Sequence, residues 1–131
     1  MRRSSREIAF QILFQSEFAP AIQVRDIAEV TQESHDGETI EFAHELVKGV
    51  LAKKTEIDAK IQSVSQHWKM DRMASVDRNL LRLATYEMIF SPQPLKPAIA
   101  INEAVELAKK FGSSESASFV NGILDQLGKG L

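Results

Sequence analysis

Apolar residues in this chain return every three or four positions, and no stretch alternates apolar with polar over the length of a strand. The spacing predicts a first helix from Ser4 to Phe18, with Ile8, Ala9, Ile12 and Leu13 turned inward and Ala19-Pro20 ending it. A short helix is expected near Val24–Gln32, then a polar loop around Ser34–Gly37. Glu38 to about Lys54 is amphipathic through Phe42, Ala43, Leu46, Val47, Val50 and Leu51. Thr55, with Asp58 three residues on, reads as the cap of a helix carrying Ile57, Ile61 and Val64, and Trp68 sits in the link after it. Ser75 reads as the next N-cap, with Asp77 in the first turn, where a carboxylate opposes the positive helix end. That helix, through Val76, Leu80, Leu81, Leu83, Ala84, Met88 and Ile89, is the most apolar and is expected at the centre of the core. The segment SPQPLKP (Ser91–Pro97) breaks it. AIAINEAVELAKKF follows, ended by Gly112 in a C′ role, and Ser113 or Ser114 caps the last helix. Seven helices with short connections, and no repeat or low-complexity tract, make an all-α bundle.

The last helix contains a conflict. FVNGIL, Phe119 to Leu124, holds an Asn-Gly pair, a strong hairpin signal, yet Phe119, Val120, Ile123, Leu124 and Leu127 keep helical spacing. Neither flank alternates, so the pair is helical and the glycine costs about 1 kcal/mol relative to alanine. Two explanations stay open: tight helix packing at Gly122, or a ligand-binding surface beside Asn121 and Gly122.

The 131 residues, 44% apolar and 26% charged, suit a single soluble core. The absence of cysteine excludes disulfides, thiolate metal sites and a cysteine nucleophile. No apolar run approaches a membrane span and the N-terminus has no signal-peptide pattern, so the expected location is cytoplasmic. HELVK at His44 lacks the second histidine of a zincin helix, and GKG at Gly128–Gly130 lacks the rest of a phosphate loop. No nucleophile elbow, dinucleotide fingerprint or EF-hand loop is present. Binding, without metal or cofactor, is therefore expected in place of catalysis.

Charge is segregated although the net is only −2. Arg2, Arg3 and Arg6 open the chain without an acid; residues 19–47 carry one arginine against seven carboxylates, and residues 48–82 carry eight Lys/Arg against four. Such an imbalance suits an anionic partner on one face. On a continuous first helix Arg3, Phe10 and Phe14 fall within about 40° of one another. Guanidinium groups neutralise phosphate and rings stack on unpaired bases, which is what an RNA-binding surface needs. Phe10 reads as core, whereas Phe14 lies nearer the polar edge marked by Glu7, Gln11 and Gln15. Phe119 sits in a small polar collar of Ser116, Ser118 and Asn121, from which a ring can protrude.

Several segments together carry a resemblance: RRSSREIAFQILFQ, HWKMDRMASVDR, VDRNLLRLATYEM, INEAVELAKKFG and SFVNGILD, in order and over essentially the whole chain. They resemble the NusB family of bacterial transcription antitermination factors. A related domain begins a small-subunit ribosomal RNA cytosine methyltransferase; no Rossmann-like domain follows Leu131, so the free-standing form is expected. The resemblance implies two small packed helical subdomains, about 1–66 and 67–131, without catalytic activity. It implies pairing with NusE, a small-subunit ribosomal protein, and binding of single-stranded boxA RNA in nascent ribosomal RNA transcripts. Other Nus factors and RNA polymerase complete the complex that suppresses premature termination.

Carried over by position, the RNA contacts are Arg2, Arg3, Arg6, Phe14, Asp77, Glu115 and Phe119, with Ser118 and Asn121 added from the polar collar. The chain departs from the family where Ser4 and Ser5 replace further basic residues, where Phe14 lacks a tyrosine hydroxyl, and where Ala98 stands for lysine with Lys96 nearby. The alternatives are the RNA-targeting domain of the methyltransferase and a purely protein-binding helical adaptor.

Overall fold

The three- and four-residue periodicity folds as helix throughout the computed structural model, which describes residues 2–19 and 36–131. Among the described residues there are six α-helices and no strand: α1 (Arg2–Ser16), α2 (Gly37–Ala52), α3 (Lys54–Val64), α4 (Ser75–Thr85), α5 (Pro97–Phe111) and α6 (Ser114–Lys129). A 3-10 turn (Met70–Arg72) precedes α4, and a π-helical segment (Tyr86–Phe90) continues it. The helix expected near Val24–Gln32 lies outside the described residues. The chain divides into two units, residues 1–49 and 50–131.

In the first unit α1 encloses Ile8, Ala9, Phe10, Ile12 and Leu13, none more than 3% exposed. From α2, Ala43, Leu46 and Val47 are buried. The two helices are tied by Ser5, 1% exposed, whose Oγ donates to the Thr39 carbonyl at 2.8 Å. Asp36 caps α2, its Oδ1 accepting from the Thr39 N–H at 2.7 Å, a contact worth about 1 kcal/mol.

In the second unit α4 packs against α3, α5 and α6, and α6 packs in turn on α3 and α5. Every residue from Asn79 to Met88 is buried, as the apolar count of that helix predicts. Two of the polar residues among them find partners by position, whereas the buried Thr85 Oγ1 has none among the described residues. Asn79 Nδ2 donates to the Ser75 carbonyl at 2.9 Å, and Arg82 reaches Asp58 on α3 with two parallel bonds, Nε to Oδ1 at 2.9 Å and Nη2 to Oδ2 at 3.1 Å. The helix ends in a π turn, Ser91 N bonding Tyr86 O, and goes no further because Pro92 and Pro94 have no N–H to donate; Leu95 N bonds Glu87 O.

Three terminal assignments differ from the expectation. Thr55 does not cap α3; the N-cap position is Lys53 without a side-chain bond, and Asp58 is engaged by Arg82 instead. Ser75 is the first residue of α4, not its cap, and Ala74 holds the cap position; Asp77 does lie in the first turn. Gly112 is the C-cap of α5 with φ −119°, so no left-handed conformation requires glycine there. Space does. A Cβ would lie 2.7 Å from Ser116 Oγ and 3.0 Å from the Ala108 carbonyl oxygen. Ser113, one of the two expected caps, closes α6 by accepting the Ser116 N–H at 3.1 Å.

Candidate functional site

The first unit presents its cations unevenly. Arg2 and Arg3 are exposed, while Arg6, expected beside them, is buried at 7% because it falls on the enclosed side of α1 with Ser5 and Ala9. The Arg2 guanidinium stacks 3.7 Å from the centroid of Phe42, at a pocket of about 300 Å³ that Asp36, Glu38, Glu41 and Glu45 also line. Part of its charge is thus offset within the protein.

Phe14 is half-buried and belongs to a ladder of rings at i, i+4 spacing. Phe10 and Phe14 have centroids 6.0 Å apart, and Phe14 meets Phe18 edge-on at 5.5 Å. The ladder runs from core to water: Phe10 is 2% exposed and Phe18 69%. Phe18 is a surface ring that the sequence reading passed over, although the 10–14–18 spacing holds the signal. Arg3 and Phe14 share a side of α1 and are about 16 Å apart along its axis.

In the second unit, Glu115, Ser118 and Asn121 are exposed and Phe119 is half-buried, all on α6. At about 100° per residue, Asn121, Ser118, Gly122, Glu115 and Phe119 succeed one another across an arc of about 160°. On one flank Ser118 and Asn121 line an open groove of about 730 Å³ with Lys109 of α5 and Ser114. On the other flank the Phe119 ring meets Trp68 edge-on at 6.2 Å and 87°. Trp68, 56% exposed, is the second ring the sequence reading did not place in the site. Asp77 is half-buried at the start of α4, and its Oδ1, shielded from water, has no hydrogen-bond partner.

Gly122 lies between these flanks, and a Cβ there would meet nothing within 4 Å beyond its own helical turn. Tight packing, one of the two explanations for this glycine, is therefore overturned; the open position leaves the floor of the arc bare. Gly122→Ala is expected to raise stability by about 0.5–1 kcal/mol through helix propensity, read as a higher melting temperature. A lower melting temperature would mean that the glycine serves packing after all.

Among the described residues no group of three His, Asp or Glu side chains is placed to hold a metal ion, and no helix is long and apolar enough to cross a membrane.

The NusB family model matches residues 3–129. The chain is 57% identical over 128 residues to the transcription antitermination protein NusB of Bdellovibrio bacteriovorus, covering 98% of this chain and 95% of that protein. Among solved structures it superposes on T. maritima NusB with a TM-score of 0.85 at 37% identity, over 98% of this chain and 91% of that one. It is also similar to a chain in the crystal structure of antitermination factors NusB and NusE in complex with double-stranded RNA. There the TM-score is 0.83 at 28% identity, covering 99% of this chain and 97% of that one.

Proposed function

The chain belongs to the NusB family, and we propose that it is a non-enzymatic, RNA-binding transcription antitermination factor. It works in the cytoplasm as a partner of NusE, the pair taking single-stranded boxA RNA from nascent ribosomal RNA transcripts and helping the polymerase complex past premature termination. The observation that carries this reading is the accessibility of the side chains such a task needs. Arg2, Arg3, Glu115, Ser118 and Asn121 are exposed and Phe14, Asp77 and Phe119 are half-buried, whereas Val120 and Leu124 beside them on α6 are fully enclosed. The neighbour that holds NusE and RNA supports the choice of partners.

In this reading Arg2 and Arg3 neutralise phosphates, and buried Arg6 supports the start of α1. Phe14 and Phe119 offer ring faces to unpaired bases. Ser118 and Asn121 supply short polar groups for base edges along the α6 groove. The unpartnered Asp77 Oδ1 is an acceptor awaiting a donor, because a buried carboxylate oxygen left unsatisfied costs about 1–3 kcal/mol or more.

Gel-shift titrations on boxA and on a scrambled RNA, with and without NusE and over a salt series, test the proposal. NusE is expected to tighten binding and boxA to outcompete the scrambled sequence. Affinity should fall with salt, and Arg3→Ala should reduce that log–log slope by about one unit at most. RNA binding that ignores ionic strength, or that does not distinguish the two sequences in the presence of NusE, overturns it.

A further inference from the structure

Trp68 is the one tryptophan of the chain, and its indole is more than half exposed. Its backbone is nevertheless held firmly. The Trp68 carbonyl accepts from Ser65 Oγ and from Gln62 Nε2, both at 2.9 Å, and its N–H donates to the Ser65 carbonyl at 3.2 Å. Gln62 closes the loop from the other side, its Oε1 accepting from Met70 N–H at 3.0 Å. Arg78 fastens the following turn by donating to the Met70 and Met73 carbonyls at 2.9 and 2.8 Å. One edge of the aromatic pair is fixed by Phe119, and the ordering cost of using the exposed indole is already met by folding.

The surroundings choose among possible occupants. The large exposed apolar side chains of the described residues are Phe18, Leu51, Trp68, Ile99 and Leu131, so no second one accompanies Trp68 on its loop. A protein-docking patch would cluster apolar side chains around its anchor. Here the exposed neighbours are Gln66, His67 and Lys69, with Arg72 just beyond and Asp71 the lone carboxylate of that stretch. Beside the indole the same loop borders an open groove of about 570 Å³, lined by Gln62, Gln66, Lys69, Met70 and Asp71, in which the one carboxylate stands against two amides and a lysine. Amides and cations around a flat ring suit a nucleobase and its phosphate.

We propose that Trp68 is a base-stacking residue, extending the Phe119 contact onto the loop between α3 and α4 and taking one unpaired RNA base on its exposed indole face. The proposal rests on the reading of the Phe119 edge as an RNA surface.

The lone tryptophan is its own probe. Titrating single-stranded boxA RNA onto the complex with NusE, with NusE emission subtracted, should quench Trp68 fluorescence in step with binding. Trp68→Ala should weaken RNA affinity about five- to tenfold without changing the salt slope, since stacking carries no charge. Trp68→Phe keeps a ring against Phe119, is expected to lose about two- to threefold, and serves in place of alanine if the latter lowers the melting temperature. Unquenched emission with parental affinity in Trp68→Ala, while Phe119→Ala loses affinity, overturns the role of Trp68 and leaves the RNA reading intact. Quenching by NusE alone, unchanged on adding RNA, assigns the indole to a protein contact and also overturns it. Parental affinity in Trp68→Ala, Phe119→Ala and Arg3→Ala alike brings down the RNA reading itself.

Discussion

Arg82→Ala is expected to destabilise the protein by about 3 kcal/mol, lowering the melting temperature by about 10 °C. The Arg82 side chain is 10% exposed and Asp58 28%, so the pair sits where water screens it poorly. Two parallel bonds join the guanidinium fork to the carboxylate, and a third, longer contact at 3.4 Å reaches Asn79 Oδ1. Removing the arginine strands a half-buried carboxylate, which costs more than the pair contributes. Asp58→Ala strands the more buried guanidinium and should cost a comparable amount. The double variant should therefore be less destabilised than the sum of the two, by about 1–2 kcal/mol in a double-mutant cycle. Arg82→Lys should recover only part of the loss, because an ammonium cannot reproduce the fork. Chemical denaturation measures all four proteins. A melting temperature for Arg82→Ala within about 2 °C of the parent would show that the pair is screened like a surface ion pair. The pair joins α3 to α4, the two helices that suspend the Trp68 loop.

Phe119→Ala is expected to weaken boxA binding by about 1–3 kcal/mol, or about 5- to 150-fold, in the presence of NusE. The ring is half-buried, so it has an apolar seat on α6 and an accessible portion for a base. Its edge contact with Trp68 keeps that portion in one orientation. Truncation removes the stacking surface and loosens the indole together. Val120 and Leu124, fully enclosed on the same helix, keep their packing, so the fold should survive with a smaller stability loss than Arg82→Ala causes. Fluorescence anisotropy of a labelled boxA oligonucleotide, paired with a thermal melt, separates the two effects. Parental affinity from a folded variant would remove this ring from the RNA surface. Phe119→Tyr, which keeps the ring, should bind within about threefold of the parent.

The helices were legible in the chain because burial on a helix recurs every three to four residues, a spacing visible without any neighbour. The cap at Ser113 was legible for the same reason: donor and acceptor lie within one turn. The cap assigned to Thr55 was not, since Arg82, 24 residues away, engages the Asp58 carboxylate that its capping motif needs; nor was that at Ser75, which lies one residue inside α4 with its Oγ and carbonyl both within reach of Asn79 Nδ2. Phe18 could have been found from the 10–14–18 spacing. Trp68 could not, because its pairing with Phe119 depends on α6 packing beside the helices that flank its loop.

Sequence spacing was thus sufficient for the all-helical class, the central place of α4 and the surface character of most of the polar residues on α6. Tertiary packing alone decided how deeply the inner side of α1 encloses Arg6, that Gly122 faces open space, and that an indole joins the Phe119 edge. The reason is one of range. Periodicity and capping act within a turn or two of chain, whereas the depth of a charge and the company of a ring are set by whichever remote segment arrives beside them.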